Sequence, residues 1–193
     1  SLFAIDASTG ALSTTADLDF ETAASHELTV MVTDGALEDT ATVTVTVTDV
    51  NDAPVAVDNT FAVNENAPGG VVGTVSASDA DTADTLTYSI TAGNGGGEFS
   101  INASTGELST TGGLDYETTA SYVLTVEVSD SALTDTATVT VNVNNVNDAP
   151  VAVDNTFTTA ENAGVSALGT VSASDADTGN TLTYSITAGN DSS

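Results

Sequence analysis

The sequence predicts an all-β chain of tandem seven-stranded antiparallel sandwiches, and three observations carry that expectation. Apolar and polar residues alternate with period two, as in Ala41-Thr42-Val43-Thr44-Val45-Thr46-Val47-Thr48, where Val43, Val45 and Val47 face one way and the threonines the other. Such alternation marks a strand with one buried face. Every recognisable block also recurs 96 positions on without insertion or deletion: Pro54 returns as Pro150, Leu18-Asp19-Phe20-Glu21 as Leu114-Asp115-Tyr116-Glu117, and Ser76 to Thr82 as Ser172 to Thr178. A fixed internal period makes each copy one structural unit, and this period suits a β-sandwich of roughly 100 residues. Finally, no stretch shows the 3.6-residue period of an amphipathic helix.

The copy beginning at Ala53 is complete, and its elements follow in order. Strands are expected near Ala56 to Val63, Val71 to Ala77, Thr85 to Thr91, Phe99 to Ile101, Glu107 to Thr111, Tyr122 to Ser129 and Thr136 to Asn144. Turn-rich segments separate them: Asn64 to Gly70, Asp79 to Asp84, Gly93 to Gly97 and Ala103 to Gly106. The expected core is Phe61, Val63, Val75, Leu86, Tyr88, Ile90, Phe99, Ile101, Leu108, Leu114, Leu124, Val126, Val128, Val139, Val141 and Val143. Residues 1–52 read as the later half of one copy, 53–148 as the whole repeat, and 149–193 as the earlier half of another. The two partial copies are complementary, so either the segment is an excerpt of a longer array or copies join head to tail by completing each other's end domains.

Composition narrows the function classes. The chain carries 28 Asp plus Glu and no Lys or Arg, a formal net charge of −28. A hydrophobic content of 40% argues that the repeats nonetheless bury cores. Two carboxylates about 4 Å apart repel by about 4 kcal/mol at an effective dielectric near 20, so clustered acids need external cations, protonation or distance. Nucleic acid and anionic membrane surfaces are poor partners for a chain without basic side chains. No apolar run approaches the roughly 20 residues of a membrane-spanning helix. Cysteine is absent, which removes disulfides and thiol chemistry.

The copied acids have a recognisable order. Asp49-Val50-Asn51-Asp52-Ala53-Pro54 and Asn145-Val146-Asn147-Asp148-Ala149-Pro150 resemble the linker of cadherin repeats. The Leu-Asp-x-Glu blocks at Leu18 and Leu114, Glu65-Asn66 and Glu161-Asn162, Asp79-Ala80-Asp81 and Asp175-Ala176-Asp177, and the strand-ending Asp34 and Asp130 resemble that family's other motifs. The resemblance covers essentially the whole chain and is nearest to bacterial cadherin-domain surface proteins. It implies a Greek-key, immunoglobulin-like sandwich and Ca²⁺ held between successive repeats, which suits oxygen-only ligands.

For the first junction it implies Asp19, Glu21, Asp49, Asp52 and the Asn51 carbonyl, with Asp79, Asp81 and Asp130 from the next repeat. For the second it implies Glu65, Asp115, Glu117, Asn147, Asp148, Asp175 and Asp177; Glu161 and Asp34 would serve a third formed head to tail. Two departures stand out. Ala53 and Ala149 occupy the place of a further Asn or Asp, and Asn145 replaces the acid at Asp49, so the second junction is expected to bind fewer ions or bind more weakly.

The implied function is structural: a calcium-stiffened extracellular segment serving adhesion, matrix or surface extension, with other copies of the repeat as partners, head to tail or side by side. A self-assembling filament subunit and a surface-polysaccharide module are the alternatives, the latter set against an aromatic content of only 5%. Acids that merely solvate loops would not explain their recurrence at copied turns. His26 is replaced by Tyr122 in the next copy, so it reads as a strand residue rather than a base or ligand. Carboxylate pairs in a linker lack the cleft that glycoside hydrolysis needs, and no enzyme activity is expected.

Overall fold

The computed structural model describes residues 1–189, and every regular element among them is a strand. The first four strands are β1 (Phe3–Ile5), β2 (Leu12–Thr14), β3 (Ser25–Thr33) and β4 (Glu38–Thr46). The next nine are β5 (Val55–Ala56), β6 (Asn59–Asn64), β7 (Val71–Thr74), β8 (Ala77–Ser78), β9 (Thr87–Ala92), β10 (Phe99–Ile101), β11 (Glu107–Thr110), β12 (Ser121–Ser129) and β13 (Thr134–Asn144). Two short strands follow, β14 (Val151–Ala152) and β15 (Ala173–Ser174).

Strands β5 to β13 build a Greek-key sandwich. One sheet has the order β6-β13-β12-β9; the other has β10-β11-β7, with β5 and β8 paired beside it. The sequence expectation of a single strand from Ala56 to Val63 is corrected here. The chain changes sheet, pairing antiparallel to β8 through Val55 and Ala56 and then parallel to β13 from Asn59 onward. Asp58 fixes the crossing point, because its Oδ1 accepts the Thr138 amide at 2.7 Å. The sandwich is therefore not wholly antiparallel. The expected strand Val71 to Ala77 is likewise divided into β7 and β8, with the Val75 amide donating to Gly106 O at 2.9 Å between them.

Alternation decides what is buried. On β12, Leu124, Val126 and Val128 are fully buried, and on β13 Val139 and Val141 are also sealed. Val75, Phe99, Leu108 and Leu114 close the core from the opposite side, and Phe61, Val63, Tyr88, Ile90 and Ile101 pack partly buried around it. Each sealed Val or Leu contributes about 1.5–3 kcal/mol relative to exposure. Leu86 is only half-buried, at the approach to β9. Gly73 leaves room for the Phe61 ring, which a Cβ would strike. Gly106, at φ 68°, turns the chain between β10 and β11 where other residues are strained.

Outside this sandwich the pairs β1–β2, β3–β4 and β14–β15 repeat three of its pairings with less cover. Leu28, Val30, Val43 and Val45 sit on a β3–β4 hairpin with the register of β12–β13, yet are only half-buried. Val32 is 67% exposed where its copy Val128 is 0%. His26 lies half-buried on β3, its ring edge-on to Phe3 at 5.2 Å, just as Tyr122 meets Phe99 at 5.1 Å.

Candidate metal centres at the repeat junctions

The Leu-Asp-x-Glu blocks fold as turns ahead of β3 and β12. Asp19 caps its own turn, Oδ1 accepting the Thr22 amide at 3.1 Å and Oδ2 the Thr22 hydroxyl at 2.7 Å. Asp115 repeats this with Thr118, at 3.0 and 2.9 Å. The threonine hydroxyl, then the amide, holds both aspartates below the usual carboxylate range. Two residues on, Glu21 and Glu117 are left facing other acids.

At the first junction Glu21, Asp49 and Asp81 each bring a carboxylate oxygen within 4.8 Å of the others. One comes from the turn before β3, one from the linker and one from the loop after β8. A cleft of about 500 Å³ opens here, lined by Glu21, Asp49, Asn51, Asp81 and Asp84. The linker is tied to the following sandwich on both sides. The Asp52 amide donates to Asp81 Oδ2 at 2.7 Å, and Asn51 Nδ2 donates to Asp130 Oδ2 at 2.8 Å. Asn51 thus contributes its side chain to the joint.

Asp130 is buried, and its Oδ1 accepts the Ala132 and Leu133 amides at 2.6 Å each. The Leu133 amide, then Asn51, holds its carboxyl below the ordinary value. Asp79 Oδ1 accepts the Asp81 amide at 3.0 Å, whereas its Oδ2 is buried with no hydrogen-bond partner.

At the second junction Glu65, Asp115 and Glu117 gather within the same 4.8 Å. Glu65 is 2% exposed. Its Oε2 accepts the Tyr116 amide and its Oε1 the Val146 amide, each at 2.7 Å, so one carboxylate ties the turn to the linker. Asn66 explains the Glu-Asn pairing. It takes the left-handed conformation, φ 57°, that Asn tolerates, and its Nδ2 donates to Asp148 Oδ1 at 2.8 Å. The Asp148 amide donates to Asp177 Oδ2 at 2.6 Å, and Asp175 Oδ1 accepts the Asp177 amide at 3.0 Å, repeating the first junction. Asn145 Nδ2 donates to Glu117 Oε1 at 2.9 Å, and Asn147 Nδ2 to the Asp148 carbonyl at 2.8 Å.

Charge crowding is written into these groups. A backbone amide pulls Glu21 down, but desolvation and the nearby Asp49, Asp81 and Asp52 outweigh it and leave the carboxyl raised. Desolvation, then Glu65, Asp177 and Asp148, raises Glu117 against its own backbone bond. Desolvation, then Asp81, Asp130, Asp79 and Asp49, raises Asp84.

Some of the sequence-derived positions stand apart. Asp19 is bonded only within its own turn and lies outside the first group, Asp34 is exposed and spends Oδ1 on the Ala36 and Leu37 amides, and Glu161 is exposed; none of the three joins an acidic group of the described residues. Asp84 and Asn180 escaped the motif reading, and Asn66 was read only as part of the Glu-Asn pair. The signal for Asp84 was its own copy, because Asn180 stands 96 positions later while the flanking Asp-x-Asp is unchanged. A divalent cation fits the oxygens present. They are hard, purely anionic or carbonyl donors, no Lys or Arg exists to neutralise them, and the buried Asp79 Oδ2 is left unsatisfied by the chain.

Fold and site together define a class: tandem Greek-key sandwiches whose short linkers collect carboxylates from both neighbours. The family model described as Cadherin domain matches residues 1–48 and 59–144, and the chain belongs to the cadherin family. Protocadherin Fat 1 of Homo sapiens is 42% identical over 163 residues, covering 77% of this chain and 4% of that protein. Cadherin EGF LAG seven-pass G-type receptor 2 of Mus musculus is 34% identical over 155 residues, covering 76% and 5%. The chain therefore spans about a twentieth or less of the length of these curated relatives. Among solved structures, protocadherin gammaB7 EC3-6 aligns with a TM-score of 0.67 at 27% identity, over 93% of this chain and 49% of that one. Human CDH23 EC21-23 shares the fold with a TM-score of 0.71 at 24% identity, over 93% and 62%.

Proposed function

We propose that this chain is a calcium-stiffened segment of an extracellular adhesive repeat protein or fibre, and not an enzyme. On this reading residues 1–52, 53–148 and 149–193 are the later half of one repeat, a whole repeat and the earlier half of the next. The observation that carries it is the gathering at the first linker of Glu21, Asp49 and Asp81 from the preceding turn, the linker and the following loop, and at the second of Glu65, Asp115 and Glu117 beside a linker tied to Asp177. Ca²⁺ takes roughly six to eight oxygen ligands, which no single loop here supplies. Glu21, Asp49, Asp52, Asp79, Asp81 and Asp130 would hold it at the first junction, with Asp19 at the rim. Glu65, Asp115, Glu117, Asn147, Asp148, Asp175 and Asp177 would hold it at the second.

When bound, the ion supplies positive charge that cancels carboxylate repulsion and links two sandwiches through one centre. The protein's own part is to pre-position the oxygens. Glu65 and Asp130 are anchored by backbone amides, and the Asp52 and Asp148 amides lock each linker onto the next repeat's Asp-x-Asp loop. A rod of such joints is a scaffold for contacts with other cadherin repeats.

Spin-label distances across each linker test the reading, and the cysteine-free chain makes single labelled pairs clean. Broad distance distributions in chelator should narrow in millimolar calcium and not in equal magnesium. Identical distributions in all three conditions would overturn the proposal.

A further inference from the structure

The two junctions are copies, but two of the eight equivalent positions present in both differ in charge. The first has Asp19, Glu21, Asp49, Asn51, Asp52, Asp79, Asp81 and Asp84; the second has Asp115, Glu117, Asn145, Asn147, Asp148, Asp175, Asp177 and Asn180. Seven carboxylates thus face five, and both differences are Asp to Asn. The asparagines are not passive replacements. Asn145 Nδ2 donates to Glu117 Oε1 at 2.9 Å, where the first junction sets Asp49 against Glu21 as two acceptors. Asn180 Nδ2 donates to Asn147 Oδ1 at 3.1 Å, while Asp84 lines the cleft beside Glu21, Asp49 and Asp81 with no donor of its own to offer. Each amide supplies within the chain a hydrogen bond that its aspartate copy cannot supply.

We infer that the junctions are graded, with Asp49 and Asp84 making the first a tight, metal-dependent joint and Asn145 and Asn180 making the second a weaker site that is partly held together without metal. The inference rests on the calcium reading and assigns its regulation. As the cation becomes scarce, the second junction empties first, yet its amide contacts keep it in register. The first junction retains metal longest and loosens most when stripped. Asp84 and Asn180 are the specificity-setting pair that no shared acidic motif contains. Calcium affinity is tuned by the number of ligand charges, so the two site classes should differ by about tenfold or more.

Calorimetric titration of the whole chain with calcium, after chelator treatment, tests this alongside spin-label distances at each linker. The wild type should show two affinity classes. Asp49→Asn with Asp84→Asn should merge them into one weak class, and Asn145→Asp with Asn180→Asp should create a second tight one. All four positions lie on the surface, and circular dichroism checks that the variants keep their strands. In chelator, Asn145→Asp with Asn180→Asp should broaden the second linker's distances towards those of the first. Calcium binding in a single class that both double variants leave unchanged would overturn the grading while the calcium reading stands. No calcium binding by the wild type would overturn both.

Discussion

Glu65 offers a sharp separation of structural from metal-binding roles, because its carboxylate is occupied before any cation arrives. Replacing it by Ala strips the acceptor from the Tyr116 and Val146 amides, both bonded at 2.7 Å to a side chain that is 2% exposed. A hydrogen bond to a charged group contributes about 1.5–3 kcal/mol, so two give roughly 3 kcal/mol at the lower end of that range. In a sandwich of this size each kcal/mol moves the midpoint by about 4–8 °C, which puts the expected drop for Glu65→Ala at roughly 12–24 °C. The assay is thermal unfolding followed by circular dichroism in chelator, where metal plays no part. Glu65→Gln keeps one acceptor oxygen but turns an amide donor towards the other N–H, and should recover no more than half of the loss. Glu161→Ala is the internal control, since the same motif residue is exposed in its copy and should shift stability by less than about 0.5 kcal/mol. A Glu65→Ala midpoint within about 2 °C of the wild type in chelator would refute the claim that this acid is a structural tie.

Further outcomes follow from the same structure. Millimolar calcium at about 100 times Kd should stabilise the chain by about 2.7 kcal/mol, with equal magnesium giving far less, as read by parallel thermal melts. Leu124→Ala should cost about 2–5 kcal/mol because its site is sealed, whereas Leu28→Ala, the same position in a half-covered hairpin, should cost clearly less in urea titrations. The pH response of the metal-free chain has two limbs. Glu21, Glu117 and Asp84 are raised, so their ionised forms strain the fold, and midpoints should rise as pH falls towards the ordinary glutamate value of 4.5. Asp19, Asp115 and Asp130 are lowered, so their stabilising bonds persist above the ordinary aspartate value of 3.8 and are lost as pH falls below it. Midpoints across pH 3 to 7 check both limbs, and a monotonic fall from pH 7 would contradict the first.

Most of the sandwich was legible because alternation is a local signal. Leu124, Val126 and Val128 announce their buried face in sequence, and the structure seals all three. The sheet change between Ala56 and Asn59 was not legible, since it depends on Asp58 reaching the Thr138 amide, a partner far along the chain. The acids' positions could be read from their recurrence, but not their states. Asp130 and Asp34 are copies ending equivalent strands, and both accept two amides of their own turn; only Asp130 also meets a linker asparagine from the preceding repeat. That contact is tertiary, and no window of sequence contains it.

The distinction between an acid satisfied by the chain and one that is not runs through the whole molecule. Asp6, Asp19, Asp34, Asp115 and Asp130 each accept hydrogen bonds from the turn they begin, and each is held below its ordinary value by those bonds. These carboxylates shape loops and would do so without metal. Glu21, Glu117 and Asp84 are raised because their surroundings are desolvated and negative, and Asp79 keeps a buried oxygen with nothing bonded to it. Asn145 Nδ2 donates to Glu117 Oε1 at 2.9 Å, but a chain with no Lys or Arg has no cation of its own to offset that second group. It lies where one sandwich meets the next, so relief from outside must act on the joint. The proposed dependence on cations would follow from these crowded acids, and the proposed rigidity from their place at the joint.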